Sequence, residues 1–142
     1  MARKLQDISV FSPTLRAELS ARDKAMMGDM TLVVSPATAT PAPTAAAWTQ
    51  DVKVQLQDAN GNLHSWFTKA VTSGVSIADT SSAGTAAIAS TTLSFEGGEA
   101  VFAITGDAAA WLDTETVTAT IAEMTIMGNT VAEKTCVLTF TA

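Results

Sequence analysis

The sequence predicts an all-β protein: a two-sheet sandwich of about seven short strands behind a short helical N-terminal arm. Three observations carry this. From Asp51 onward, apolar side chains recur with a period of two, which places them on one face of successive strands. Turn-forming pairs separate these runs, at Asn60-Gly61, Ser73-Gly74, Gly97-Gly98, Gly106-Asp107 and Gly128-Asn129. Helical spacing occurs only within the first thirty residues. About seven short strands in roughly a hundred residues is the pattern of two stacked sheets.

The arm comes first. In "FSPTLRAELSARDKAMMGDM", Ser12 can cap a helix and Pro13 suits its first position, where the missing N–H costs nothing. Leu15, Leu19 and Met26 follow at helical spacing, and Gly28 is a stop. The expected helix runs over 13–27. Its apolar stripe is narrow, so it needs a partner surface: the body, a neighbouring subunit or another protein. Leu15, Leu19, Met26 and Met27 are the expected docking residues. The division is residues 1–29 as arm and 30–142 as body.

The body opens with the strand "MTLVVS" (30–35). "PATATPAPTAAA" then interrupts it, because Pro36, Pro41 and Pro43 cannot donate to a ladder; the stretch reads as a loop, a polyproline segment or an edge. In "DVKVQLQ", Val52, Val54 and Leu56 alternate with Lys53, Gln55 and Gln57. "SWFTKAV" and "VSIAD" offer short strands, and "GTAAIASTTLSF" a weaker one. "EAVFAITG" alternates Ala100, Phe102 and Ile104 against Val101, Ala103 and Thr105. "TVTATIA" sets Val117, Ala119 and Ile121 against threonines, and "KTCVLTFT" puts Cys136, Leu138 and Phe140 on one face.

Composition narrows the function classes. The chain has 142 residues, 47% of them hydrophobic and 15% charged, enough apolar material for one ordinary core. The net charge of −6 leaves no excess of Lys or Arg for phosphates, so nucleic acid is not an expected partner. Residues 1–30 are near neutral, whereas beyond them only Lys53, Lys69 and Lys134 offset ten acids. A near-neutral arm on an acidic body suits docking, and a solvated helix explains the charges equally well. With Cys136 alone, neither an intrachain disulfide nor a Cys-based metal site is available. No signal peptide and no apolar run near the ~20 residues of a membrane helix stand out, so a cytoplasmically made protein with no membrane partner is expected.

The tempting motifs each have a plainer account. "DANGN" begins like a calcium loop, but Gly61 comes too early and Lys69 stands where the closing Glu belongs. Asn60-Gly61 tolerates positive φ and reads as a hairpin turn. His64 is the only histidine; its neighbour Ser65 would point to the opposite face of a strand, and no GxSxG or HExxH accompanies it. No catalytic residue, metal ligand or cofactor site is therefore expected, and the protein reads as a non-enzyme. Among Trp48, Trp66 and Trp111, Trp66 is expected between the sheets. Trp111, in the loop-like "GDAAAWLDTET", is the expected surface contact for a ligand. Cys136 reads as a small buried hydrophobe. The acid pairs Asp113/Glu115 and Glu96/Glu99 read as solvated charge.

Four segments together, among them "GVSIADTSSAGTAAI" and three that carry motifs, resemble a known family. "VKVQLQDANGN", "GGEAVFAITG" and "TETVTATIA" are similar to the bacterial immunoglobulin-like (Big) repeats of invasin- and intimin-type surface proteins, with D-x-x-G-N at Asp58–Asn62, G-x-A-x-F-x-I-x-G at Gly98–Gly106 and T-V-T-A-T at Thr116–Thr120. The likeness spans roughly 49–142. "NLHSWFTKAV" replaces the usual short proline-containing loop. A single copy behind an arm resembles structural proteins of tailed bacteriophages. The resemblance implies an immunoglobulin-like sandwich and a virion protein assembled in the host cytoplasm, acting as a capsid decoration or cement protein or as a tail accessory protein. It implies docking through the arm to the major capsid protein or another virion protein, and a homo-oligomer. The alternative it allows is a carbohydrate- or host-surface-binding module, with a glycan as ligand.

Overall fold

A computed structural model describes residues 29–142; the helix expected over 13–27, with Leu15, Leu19, Met26 and Met27, lies outside the described residues. The described chain is all-β. Its strands are β1 (Thr31–Ser35), β2 (Thr38–Ala39), β3 (Trp48–Gln57), β4 (Lys69–Val71), β5 (Val75–Asp79), β6 (Ala86–Ile88), β7 (Leu93–Phe95), β8 (Glu99–Gly106), β9 (Thr116–Ile121), β10 (Met124–Ile126), β11 (Asn129–Val131) and β12 (Lys134–Thr139).

Two four-stranded sheets form the body. The first runs β1-β3-β8-β6 and the second β2-β12-β9-β5. All their pairs are antiparallel except β2 with β12. The period-two pattern sets which face is buried. Val52, Val54 and Leu56 in β3, Ile104 in β8, Val117, Ala119 and Ile121 in β9, and Cys136 and Leu138 in β12 are all within 1% of complete burial and belong to one shared core. Val101 and Lys53, which are opposite one another in the ladder, face out. Each large aliphatic so buried is worth about 1.5–3 kcal/mol over its exposed state, and a one-residue slip of any strand would forfeit the set.

The proline-rich stretch is more ordered than its composition implies. The chain leaves the first sheet after β1 through a cis Ser35–Pro36 peptide and joins the second sheet as β2. The Ala37 carbonyl accepts the Val137 N–H (3.0 Å), and the Pro41 carbonyl accepts the Thr141 N–H (3.0 Å). Prolines that cannot donate still accept, so the segment can lie along an edge, with its non-proline residues such as Thr44 supplying N–H donors (Thr44 to the Trp111 carbonyl, 3.1 Å).

"GTAAIASTTLSF" supplies two strands rather than one: β6 stays in the first sheet, and β7 leaves to pair with β4. The inward side chains change parity between Ala86 and Ile88 in β6 and Leu93 and Phe95 in β7, and the small and polar residues 89–92 between them carry no pattern from which the fork could be placed. The hairpin β10–β11 was unexpected as a pair of strands. Its turn centres on Met127 (φ 51°) and Gly128 (φ 78°), one residue earlier than the Gly128-Asn129 turn the sequence suggests. The register buries Met124, Ile126 and Val131 together, and shifting it by one residue would expose them.

Candidate functional site

The two ends of β3, Trp48 and Gln57, lie at the two ends of the body, and the residues singled out by sequence gather there. At the Trp48 end, Trp111 is buried, with 1% of its surface exposed. This corrects the expectation of a surface ligand contact. Trp111 stacks on Phe140 (centroids 5.3 Å, 23°) and meets Trp48 edge-on (5.2 Å, 81°). Its backbone exchanges two hydrogen bonds with Thr44 (3.1 and 2.8 Å), and its indole N–H donates to the Asp107 carbonyl (3.2 Å). The rings also press on bare backbone: a Cβ on Gly84 would lie 2.4 Å from the Trp111 ring, and one on Gly106 2.1 Å from Trp48. A loop-like sequence thus donates a core plug, because its polar N–H and its backbone both find partners.

Acids fasten the loops around this plug. The two Glu115 carboxylate oxygens accept the N–H of Leu112 (2.9 Å) and of Ser82 (3.0 Å). Asp113 accepts the Ala142 N–H (2.9 Å), Asp107 the Thr85 N–H (3.0 Å) and Asp79 the Ala86 N–H (3.0 Å). Asp113 and Glu115 are therefore loop ties as well as solvated charges. The backbone donors of Leu112, then Ser82, hold the Glu115 carboxyl below the usual glutamate range. A depressed carboxyl contributes its tie in full above the unfolded value and loses it as pH falls through the lower folded value. The Ser82 and Leu112 amides are accordingly expected to stay protected from hydrogen exchange at mildly acidic pH and to lose protection below it, and Glu115→Gln should abolish that pH dependence. A Glu115 carboxyl titrating at the ordinary value by NMR would refute the tie.

At the Gln57 end, "DANGN" is a tight loop closed by Asp58. One carboxylate oxygen accepts the N–H of Asn60 (2.8 Å) and of Asn62 (2.9 Å), and the other accepts the Asn62 side-chain amide (3.1 Å). The Asn62 backbone donor leads in lowering the Asp58 carboxyl. Among the described residues, no three of His, Cys, Asp and Glu gather in metal-ligating proximity. The turn reverses the chain as expected, but the return is one bridge, Gln57 with Leu63, followed by the His64 N–H to the Leu56 carbonyl (2.9 Å).

His64 and Trp66 follow. His64 is buried, with 8% exposed, and both ring nitrogens are engaged. Nε2 lies 3.0 Å from the Asp29 carbonyl, and Nδ1 accepts the Trp66 indole N–H (3.2 Å). An indole N–H can only donate and a carbonyl can only accept, so the ring is the Nε2–H tautomer, with Nε2 donating. Trp66, expected between the sheets, is instead 46% exposed beside Leu63 at 37%. Alternation from Leu56 cannot be carried through the turn, so sequence could not assign its side. The one signal was that Trp66 lies two residues from the only histidine, and the histidine needed a donor.

Glu99, expected as solvated charge, is half-buried and accepts from the Gln55 side-chain amide. Cys136 is fully buried, and burial pushes its thiol up, away from the reactive thiolate. An open cleft of about 390 Å³ lies between Asp29, Met30 and Thr31, the tip residue Ala59, and Asn129 and Thr130 of the β10–β11 hairpin. The chain matches no protein-family model and no curated protein.

Proposed function

We propose that this is a non-enzymatic structural protein of a tailed-bacteriophage virion, a capsid decoration or cement protein that displays an immunoglobulin-like domain and attaches through its N-terminal arm. The observation that carries it is the fate of the reactive residues. His64, Asp58, Glu115, Asp107 and Trp111 are all engaged in holding loops and core together. The body then acts as a rigid block that presents surfaces, and attachment falls to the arm. Lettered along the chain as A (β1), A′ (β2), B (β3), C (β5), D (β6), E (β8), F (β9) and G (β12), the sheets read A-B-E-D and A′-G-F-C. That is the strand grouping of immunoglobulin-like sandwiches, and it supports the family resemblance of the three motif segments.

In this reading Leu15 and Leu19 of the arm bury against the major capsid protein or another virion protein, and copies arranged on a lattice or in a homo-oligomer strengthen attachment through avidity. The test uses the full chain. Leu15→Asp with Leu19→Asp is expected to abolish co-sedimentation with particles of the encoding phage while the urea midpoint stays at the wild-type value. Undiminished co-sedimentation would remove the arm from the attachment mechanism.

A second reading, a carbohydrate- or host-surface-binding module, draws on one observation. With Trp111 in the core, Trp66 is the tryptophan that offers an exposed ring face. Binding on a glycan array that Trp66→Ala abolishes would favour it, and an array with no bound glycan would set it aside.

A further inference from the structure

We propose that His64 and Trp66 form a pH switch: a proton taken up at Nδ1 of His64 expels the Trp66 indole from its seat, so that acidification turns a fixed aromatic ring into a free one. Counting donors and acceptors carries this. In the neutral ring Nε2 donates to the Asp29 carbonyl (3.0 Å) and Nδ1 accepts the Trp66 indole N–H (3.2 Å). Both partners have a fixed role, since an indole nitrogen only donates and a carbonyl only accepts. One protonation state and one tautomer of His64 satisfy the pair.

The protonated ring cannot keep both contacts. An imidazolium carries a hydrogen on each nitrogen and has no acceptor left. The bond from Nε2 to Asp29 persists and strengthens, because its donor is now charged. At Nδ1 two N–H groups face one another, and turning the ring over only presents the other N–H. One side chain must give way, and burial decides which. His64 is 8% exposed, and its backbone is pinned on both sides: its N–H donates to the Leu56 carbonyl (2.9 Å) and its carbonyl accepts the Phe67 N–H (3.0 Å). Trp66 is 46% exposed and rests on edge-on ring contacts with His64 (5.7 Å, 69°) and Phe67 (5.8 Å, 77°). The indole is therefore the group that leaves, and its N–H turns to water.

The ionisable groups around the ring come from the segments packed against it. Asp29 lies on the Nε2 side, and Asp58, just beyond β3, is near enough for its carboxyl to feel the His64 charge. Glu96 and Glu99 flank Gly97-Gly98, whose backbone packs against the 63–67 loop, and Lys69 stands opposite Phe95 beside that turn. A ring held in one orientation loses little freedom when a partner covers it, whereas a free ring loses more. The surface formed by Trp66 and Leu63 is accordingly a binding anchor while His64 is neutral and a weaker one in acid. The switch goes beyond both functional readings above and depends on neither; if Trp66 is the contact of the second reading, acid releases that contact.

The test is an NMR titration of the full ¹⁵N-labelled chain from about pH 8 to about pH 5, the range in which histidines change charge. It follows the indole N–H signals and the His64 ring, with the Trp66 indole assigned by Trp66→Phe. The Trp66 signal is expected to shift with the same midpoint as the His64 ring, and its exchange with water to rise several-fold over that step. The Trp48 and Trp111 indole signals should stay in place, which excludes unfolding. His64→Gln keeps a donor and an acceptor but takes up no proton, so it should hold the Trp66 signal constant through the whole range. A Trp66 signal that stays still while His64 titrates overturns the proposal. So does a His64 ring that takes up no proton in this range. A shift that persists in His64→Gln would move the trigger to Asp29, Asp58, Glu96 or Glu99 and overturn it as well.

Discussion

Replacing Trp111 with alanine is expected to cost about 3–5 kcal/mol of stability, a large share of the roughly 5–15 kcal/mol that holds a domain folded. The indole is 1% exposed, stacks on Phe140 and takes the edge of Trp48, so its removal leaves a cavity that two rings anchored elsewhere cannot fill. It also strips the Asp107 carbonyl of its indole donor. The measurement is a urea midpoint on the full chain. Trp66→Ala provides the contrast: that ring is 46% exposed, and its loss should move the midpoint far less. The two tryptophans have opposite roles from those their sequence neighbourhoods suggest. Equal midpoints for Trp111→Ala and wild type would place Trp111 outside the core.

The second large effect is expected at Gly98. Its N–H donates to the Phe67 carbonyl (2.7 Å), its carbonyl accepts the Leu56 N–H (2.9 Å), and its φ is 83°. A Cβ there would stand 2.5 Å from the His64 carbonyl oxygen, a backbone atom held by the Phe67 N–H (3.0 Å). Left-handed backbone costs an L-residue about 1–2 kcal/mol, and overpacking adds about 1–3 kcal/mol, so Gly98→Ala should lose about 3 kcal/mol or more. Gly61→Ala isolates the first part: φ is 84° there, but the new Cβ would meet only Gln57 Oε1, at 3.9 Å. It should lose only the conformational cost of about 1–2 kcal/mol. If both variants unfold at the same urea concentration, the contact between Gly98 and the 64–67 loop is not as tight as the geometry implies. Because that loop carries His64 and Trp66, Gly98→Ala should also disturb the Trp66 environment, whereas Gly61→Ala should not.

Much of the fold was legible in the sequence. Val52, Val54 and Leu56, then Val117, Ala119 and Ile121, then Cys136 and Leu138, are buried as their alternation requires, because a pleated strand gives each side chain only two directions. Asp58 to Asn62 turns as its residue types require. Among the described residues twelve strands stand where about seven were expected, because two kinds of event carry no periodic signature. A chain fork such as the departure of β7 from the path of β6 falls in the small and polar residues 89–92, where alternation lapses before it resumes in the opposite phase. Short pairs such as β10–β11 are too brief for a pattern to emerge.

The sequence by itself determined the all-β class, which face of each long strand is inward, and where the chain must turn. These depend on local backbone preferences and on a period of two, and both are written in neighbouring residues. Only the tertiary structure decided that Trp111 is core and Trp66 is surface, that Asp107, Asp113 and Glu115 tie loops, and that His64 joins Asp29 to Trp66. Those assignments depend on contacts between segments far apart in the chain, such as His64 with Asp29, Glu115 with Ser82, Asp107 with Thr85, Asp113 with Ala142 and Trp111 with Trp48, and no local pattern encodes such meetings.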